Sequence, residues 1–351
     1  MKRLILHIGS PKAGSTSLQR FLTANRPVLA RIGVDYPDLP GDESPPHWLR
    51  QAFEADEADA RAALDALGAA IRGARGDVVV LSSEGLSGIA EAHAPAERIR
   101  RLAESEWKVA VDVVAFVRPQ HLFLNSSYAQ HVKTLVTADR FRPFLRRMIN
   151  DRRFDVGRVY GPWHAAFGPR FHAIPFTARE LARGLERRFF DEVGLGARLS
   201  GLNDLEPAAP SNPSPGPIAV EVHRRVAAAG GRARFGPRLR QARTYLHRRG
   251  VALGWDRERF SGLDGDVVEA VRGAFRQRNE AFAMRHWARP WETVFAADYD
   301  RAFASNEYDL DAVDPEREKE IASAAGEVLA LYAAPDTLAD RIGRLIRRVV
   351  R

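Results

Sequence analysis

Leu4-Ile5-Leu6-His7-Ile8-Gly9-Ser10-Pro11-Lys12-Ala13-Gly14-Ser15-Thr16-Ser17-Leu18-Gln19-Arg20-Phe21-Leu22 decides how the 351-residue chain is read. The apolar run Leu4, Ile5, Leu6 and Ile8 stops at Gly9 and gives way to a loop of Gly, Pro and Ser. From Ser15 onward Leu18, Phe21 and Leu22 recur at helical spacing, so the order is strand, loop, helix. In that order the amides of the loop and the first helical turn converge on one point, with the positive end of the helix dipole behind them. Such a point holds a phosphate or a similar anion. Set against the nucleotide-binding pattern G-x-x-x-x-G-K-S/T, Gly9, Gly14 and Thr16 fall in place. Ser15 stands where the pattern has lysine, and the lysine comes earlier, as Lys12. An ammonium so displaced reaches a different part of the anion, which weakens the kinase or NTPase reading.

Further strands frame this loop. Gly33–Pro37 reads as a short strand ending at a proline, and Ala55–Ala74 as a long Ala-rich helix with Leu64, Leu67 and Ile71 on one face. Asp77–Ser82 is a short branched apolar run without alternation, the mark of a strand buried on both faces. A helix near Ala96–Glu104 leads to a strand at Val109–Val117. Helical patterns follow at 143–150 and 156–167, then a strand at 171–176 and a helix over 178–193. Strands separated by helices predict βαβ units and an α/β fold: a P-loop-like, three-layer arrangement with a central parallel sheet flanked by helices. Residues 204–217 carry five prolines between Pro207 and Pro217 and predict a surface loop. Beyond it, 218–351 reads as a mainly helical extension with helices near 218–229 and 267–286. The expectation is one domain over 1–351, its core in 1–200.

Composition sets the class. Hydrophobic residues at 45% and charged residues at 28% are ordinary for a globular chain. No apolar run reaches the length of a membrane span. The first strand begins near Met1, which leaves no room for a signal peptide and makes a cytoplasmic protein the expectation. The absence of cysteine excludes disulfides and thiolate chemistry. Against 45 acidic residues stand 53 basic ones, a net charge of +8. Such a field favours anionic partners without choosing among them.

The run from Pro11 to Leu18, PKAGSTSL, resembles the phosphosulfate-binding loop of sulfotransferases, which use 3′-phosphoadenosine-5′-phosphosulfate (PAPS) and release the corresponding bisphosphate (PAP). The resemblance implies that the loop of Pro11, Lys12, Ala13, Gly14, Ser15, Thr16 and Ser17 holds the 5′-phosphosulfate. A second segment supports it. The strand Val109–Val117 ends in Arg118, with Ser126 eight residues on and Tyr128 two after that. This spacing resembles the family's 3′-phosphate-binding segment and implies that Arg118 and Ser126 bind that phosphate; the double serine leaves Ser127 as an alternative. Open parallel sheets take ligands at the carboxyl ends of strands, which puts Arg118 on the rim of the Gly9–Thr16 loop. A guanidinium grips a phosphate through two charge-assisted bonds, each on the order of 1.5–3 kcal/mol.

Transfer of a sulfuryl group to a hydroxyl needs a base for the acceptor proton and a cation for charge developing on the leaving phosphate. Lys12 suits the second task. Glu84, just after the strand Asp77–Ser82, resembles the glutamate base of heparan-type carbohydrate sulfotransferases and ranks first for the other. His47 ranks second, since cytosolic members of the family use a histidine, and His131 third. His7 is expected to pack beneath the loop.

The resemblance covers mainly residues 1–200 and implies a hydroxyl acceptor, a carbohydrate or glycolipid following from Glu84. Trp48, Trp163, Trp287 and Trp291 serve either sugar stacking or core packing. No metal-ligand spacing is present, in keeping with metal-independent transfer. The arginine-rich stretch Arg232–Arg249 has only Phe235 and Tyr245 interleaved, too few aromatics for nucleic acid to be expected as a partner. The amphipathic segment Asp336–Arg351 is expected to pack on the core or on a second subunit of a homo-oligomer, with a peripheral membrane contact as the alternative. Two rival functions remain: a P-loop kinase of small molecules, and a non-enzymatic protein that binds polyanions or membranes.

Overall fold

β1 (Arg3–Gly9) is a strand whose six residues after Arg3 are all buried, as a strand covered on both faces must be. The computed structural model describes residues 1–37, 49–50, 53, 57–89, 94–207 and 214–333. Within them β2 (Val34–Asp35), β3 (Val78–Ser82), β4 (Ala110–Val117) and β5 (Phe171–Pro175) join β1 in a parallel five-stranded sheet of order β2-β3-β1-β4-β5. Leu4 stands opposite Val79 and Val111, and Leu6 opposite Leu81 and Val113. The register between β1 and β4 shifts between His7 and Gly9, where the loop begins.

Alternation along the strands builds two cores. Leu4, Leu6, Ile8, Val79, Leu81 and Val113 pack with Leu64, Ile99 and Trp163 on one face. Ile5, Val80, Val114 and Phe116 pack with Leu18, Leu22 and Phe189 on the other. The expected three layers are present. The long helix spans Glu57–Gly73, and the helix at Val156–Phe167 falls where the periodicity puts it. The helix expected over 178–193 is two, Ala178–Arg183 and Leu185–Glu192, because Gly184 sits at φ +89° between them. A left-handed residue cannot continue a right-handed helix.

The described residues form two compact units. One gathers those of Met1–Phe123, Asp151–Ser211 and Arg272–Arg301, and so holds the whole sheet; the other gathers those of Leu124–Asn150, Asn212–Val271 and Ala302–Arg351. The second unit is helical. Helices Pro217–Ala228, Leu239–Ala252 and Pro315–Tyr332 close around Val222, Val226, Leu246, Ile321 and Val328. Buried Glu221 holds both Arg224 and Arg225, and Arg225 also pairs with Glu318. The arginine-rich stretch becomes two short 3-10 turns and the Leu239–Ala252 helix, where Arg249 lies 3.6 Å from Glu327. His47, Trp48, residues 208–213 of the proline-rich loop and the Asp336–Arg351 segment lie outside the described residues. Among the described residues no helix is long and apolar enough to cross a membrane.

Candidate active site

Strand order reverses between β1 and β4, with β2 and β3 to one side and β5 to the other. At such a point the loops part at the carboxyl ends of the strands, where open α/β sheets take ligands. The loop after β1 is fastened here from three sides. Towards β4, Ser10 donates both its amide and its hydroxyl to the carbonyl of Phe116, each at 3.1 Å. Towards β3, the amide of Ser83 donates to the carbonyl of His7 at 2.9 Å, and the backbone of Gly9 runs against that of Glu84. A Cβ on Gly9 would lie 2.9 Å from the Glu84 carbonyl oxygen. On the β5 side Phe176 and Leu185 press on Gly14. A Cβ there would fall 2.2 Å from Leu185 Cδ2 and 2.9 Å from a carbon of the Phe176 ring. Gly14 also sits at φ +85°, so both space and backbone require glycine at this position.

The helix that follows, Ser15–Ala24, starts without a side-chain cap and without an acidic residue in its first turn. Its first amides therefore lack the side-chain acceptor that usually satisfies a helix start, while the dipole favours an anion there. Lys12 is exposed and stands at φ +64°, a left-handed conformation that costs a non-glycine residue roughly 1–2 kcal/mol. Its carbonyl is gripped by Arg118, whose Nη1 donates to Lys12 O at 2.8 Å. The Arg118 guanidinium also lies over the Phe176 ring, 5.8 Å from its centre. Lys12 and Arg118, 106 positions apart, are thus in direct contact.

The hydroxyls divide. Thr16 is exposed at the first helical turn. Ser15 is buried and donates to the Ser10 carbonyl at 3.2 Å, and Ser17 donates to Glu186 Oε1 at 3.0 Å. Pro11 is half-buried, and Ala13 is fully buried in the second core. Glu84 is half-buried on the same rim, and its carboxylate has no hydrogen-bond or ion-pair partner among the described residues. Arg50, which sequence reading passes over, lies against the neighbouring Gly85.

His7 lies beneath the loop, as expected. Burial pushes it down to about 3, so it is neutral, and its Nδ1 meets Ser82 Oγ at 2.8 Å. Gln19 donates to the same hydroxyl at 3.0 Å, tying the helix to β3 under the loop.

Beside Arg118 gathers a cluster that no local pattern announces. His121 is buried and pushed down to about 3, first by burial and then by Arg272, Arg118 and Arg301. Asp298 is raised by burial although Arg118 and Arg301 pull the other way. Arg272 donates to the carbonyls of Asp298 and Tyr299 and stacks on the Tyr299 ring at 3.9 Å. Gln120 and Asn279 exchange two side-chain bonds of 2.6 and 2.8 Å. Arg272, Asn279, Asp298 and Arg301 lie 154 to 183 positions from Arg118 along the chain, beyond the reach of any local pattern.

Other candidates are placed differently. Ser126, Ser127 and His131 fall on the Gln120–Lys133 helix in the part belonging to the second unit. There Ser127 is buried, and His131 Nδ1 is held 2.7 Å from the Ser127 carbonyl. Trp163 and Trp291 are core residues. Trp287 is half-buried, packs against the same core and donates to the Ala173 carbonyl at 2.7 Å.

No family model matches the chain, and no curated protein does. Among solved structures, a sulfotransferase from Alicyclobacillus acidocaldarius is similar over 61% of this chain and 87% of its own, at 16% identity and a TM-score of 0.35.

Proposed function

We propose that the chain is a sulfotransferase that moves the sulfuryl group of PAPS to a hydroxyl of an acceptor, a carbohydrate or glycolipid. The observation that carries this reading is the contact of Arg118 with the Lys12 carbonyl at 2.8 Å. It joins the two segments whose resemblance implies the two phosphate sites of one nucleotide. The residues present fit such a group: uncapped amides at the Ser15 end of the helix, a lysine in the loop and a guanidinium at the next strand end.

The donor supplies an activated sulfuryl group. Lys12 and the loop amides hold its 5′ end and offset the negative charge that grows on the departing phosphate, which leaves in PAP. Arg118 holds the 3′-phosphate. Glu84 takes the proton of the acceptor hydroxyl as that oxygen approaches sulfur in line with the bond that breaks. A carboxylate without an internal partner is available for that proton, and a rim position gives it access to a bound acceptor.

The test is thermal stabilisation by PAP together with transfer of labelled sulfuryl groups from PAPS to a panel of sugars, glycolipids and phenols. A ligand at a hundred times its Kd adds about 2.7 kcal/mol of stability, a clear rise in Tm. Arg118→Ala is expected to weaken PAP binding roughly tenfold or more. Lys12→Ala is expected to lower turnover by about 10²–10³, the scale of one lost charge-stabilising group. Glu84→Gln should abolish turnover and leave PAP binding intact; full turnover in that variant removes Glu84 from the base role. Stabilisation by ATP with magnesium and none by PAP would overturn the reading in favour of a kinase.

A further inference from the structure

Away from the rim, the first unit gathers positive charge along a second line. The Val156–Phe167 helix and the Gly265–Trp287 helix line the two walls of a cleft of about 290 Å³. The first wall carries Arg158 and His164, the second Arg278, Arg285 and His286, and Phe282 is buried beneath. The single carboxylate of the lining, Asp155, is already engaged. One oxygen accepts the amides of Gly157 and Arg158, and the other takes Arg278 at 2.6 Å and lies 3.6 Å from the Arg158 guanidinium. Arg285 has no ion-pair or hydrogen-bond partner among the described residues. His164 Nδ1 is shut off from solvent and likewise lacks a hydrogen-bond partner among them. The His164 and His286 rings meet edge to face at 4.9 Å. Burial, then His164 and Arg285, push His286 down to about 4, so it adds no charge of its own at neutral pH.

Gly161 faces this cleft from the helix interior, and a Cβ there would meet nothing within 4 Å. Packing therefore does not require glycine, although glycine inside a helix costs about 1 kcal/mol relative to alanine. What the missing side chain provides is room. Guanidinium groups on facing walls suit an ion with oxygens on every side, whereas a flat carboxylate is satisfied by one planar fork.

We propose that this cleft binds a phosphate or sulfate group, as the free dianion or as the ester of a small sugar. Neither the Lys12 loop nor Arg118 lines it, so the site stands apart from the proposed transfer site.

The test is calorimetric titration of the full chain at low ionic strength with inorganic phosphate, inorganic sulfate, glucose 6-phosphate and glucose 6-sulfate. A Lys12→Ala, Arg118→Ala background keeps the rim from supplying the signal. One equivalent is expected to bind. Arg285→Ala should weaken it roughly tenfold, the scale of one charge-assisted contact. Gly161→Leu, which puts a side chain into the cleft at a position where a Cβ meets nothing within 4 Å, should abolish it. Free ions binding as tightly as the esters assigns the site to the dianion, and esters binding alone assigns it to the sugar ester. In the otherwise unchanged chain, Arg285→Ala and Gly161→Leu should leave stabilisation by PAP as it was, whether or not PAP binds. Failure of all four probes to bind, or binding that survives both substitutions, overturns the proposal.

Discussion

The two ends of the sheet treat charge in opposite ways. In its amino-terminal half, Asp112 on β4 is buried in an apolar strand and is answered from every side. Arg3 reaches it at 2.7 Å, His172 Nε2 at 2.9 Å and Arg170 at 3.5 Å. Burial alone would raise its carboxyl, but the bonds from His172 and Arg3 hold it down at about 2. The carboxyl-terminal rim carries polar groups of another kind. They are the amides of an uncapped helix start, an exposed lysine in a left-handed conformation and a carboxylate without an internal partner. Charges closed upon one another hold strands together. In the proposed reading, helix amides without a side-chain cap and a carboxylate without an internal partner, with glycines where side chains would intrude, take a ligand from outside. Substitutions in the first region should therefore cost stability and spare PAP, and those at the rim should cost PAP binding or turnover.

Asp112→Ala offers the largest effect on stability. Removing it leaves Arg3 without its carboxylate and His172 with Glu192 alone, and breaking a buried pair in this way costs about 3 kcal/mol. The urea midpoint should fall accordingly, with stabilisation by PAP unchanged. Lost PAP binding with an unchanged midpoint would erase the contrast between the two ends. The same network sets a pH dependence. Asp112 first and Glu192 second, through their bonds, raise His172 to about 9 against the effect of burial. The folded protein thus holds this proton more tightly than the unfolded chain, whose histidines titrate near 6.5. The stabilisation is complete below about pH 6.5 and is lost as the pH rises through about 9. On the acid side the same bond is lost as the pH falls from the ordinary carboxylate range through about 2. His172→Gln should flatten the alkaline limb of urea midpoints measured from pH 6 to 10.

Gly14→Ala tests the frame of the rim. The left-handed backbone and the 2.2 Å approach of Leu185 both oppose a methyl group, and overpacking of this kind costs about 1–3 kcal/mol. The loop must shift to admit it, so PAP stabilisation should fall together with Tm. A variant that loses Tm and still binds PAP fully would show that the loop's exact path is not what holds the nucleotide.

Much of this frame was legible because it is local. Buried parallel strands read as unbroken apolar runs, so β3, β4 and β5 lie within a residue or two of their sequence positions. Gly9, Pro11 and Gly14 punctuate the loop between strand and helix. The Pro315–Tyr332 helix escaped notice because half of its buried stripe is alanine: Ala324 and Ala325 stand between Ile321 and Val328. Asp112 is the one charge in AVDVVAFV, and its partners Arg3 and His172 come from two other strands. Contacts made at a distance were invisible in principle. Nothing near Gly14 foretells Leu185, and nothing near Arg118 foretells Arg272 or Asp298.

Ser17 shows where a resemblance in sequence and a contact in the fold pull apart, and it carries the smallest expected effect. The motif assigns its hydroxyl to the phosphosulfate, yet the hydroxyl donates to Glu186 Oε1 at 3.0 Å across 169 positions. A hydroxyl can turn to either acceptor, since its proton rotates freely about the C–O bond. If Glu186 is its partner with the nucleotide bound, Ser17→Ala removes one half-buried bond to a carboxylate and lowers stability by about 0.5–1.5 kcal/mol. PAP stabilisation would then stay as it was. If the hydroxyl turns to the nucleotide, the same substitution leaves Tm nearly untouched and weakens PAP several-fold. Measuring Tm with and without PAP in this single variant therefore places Ser17 on one side or the other of the contrast between charges that close the fold and groups that face a ligand.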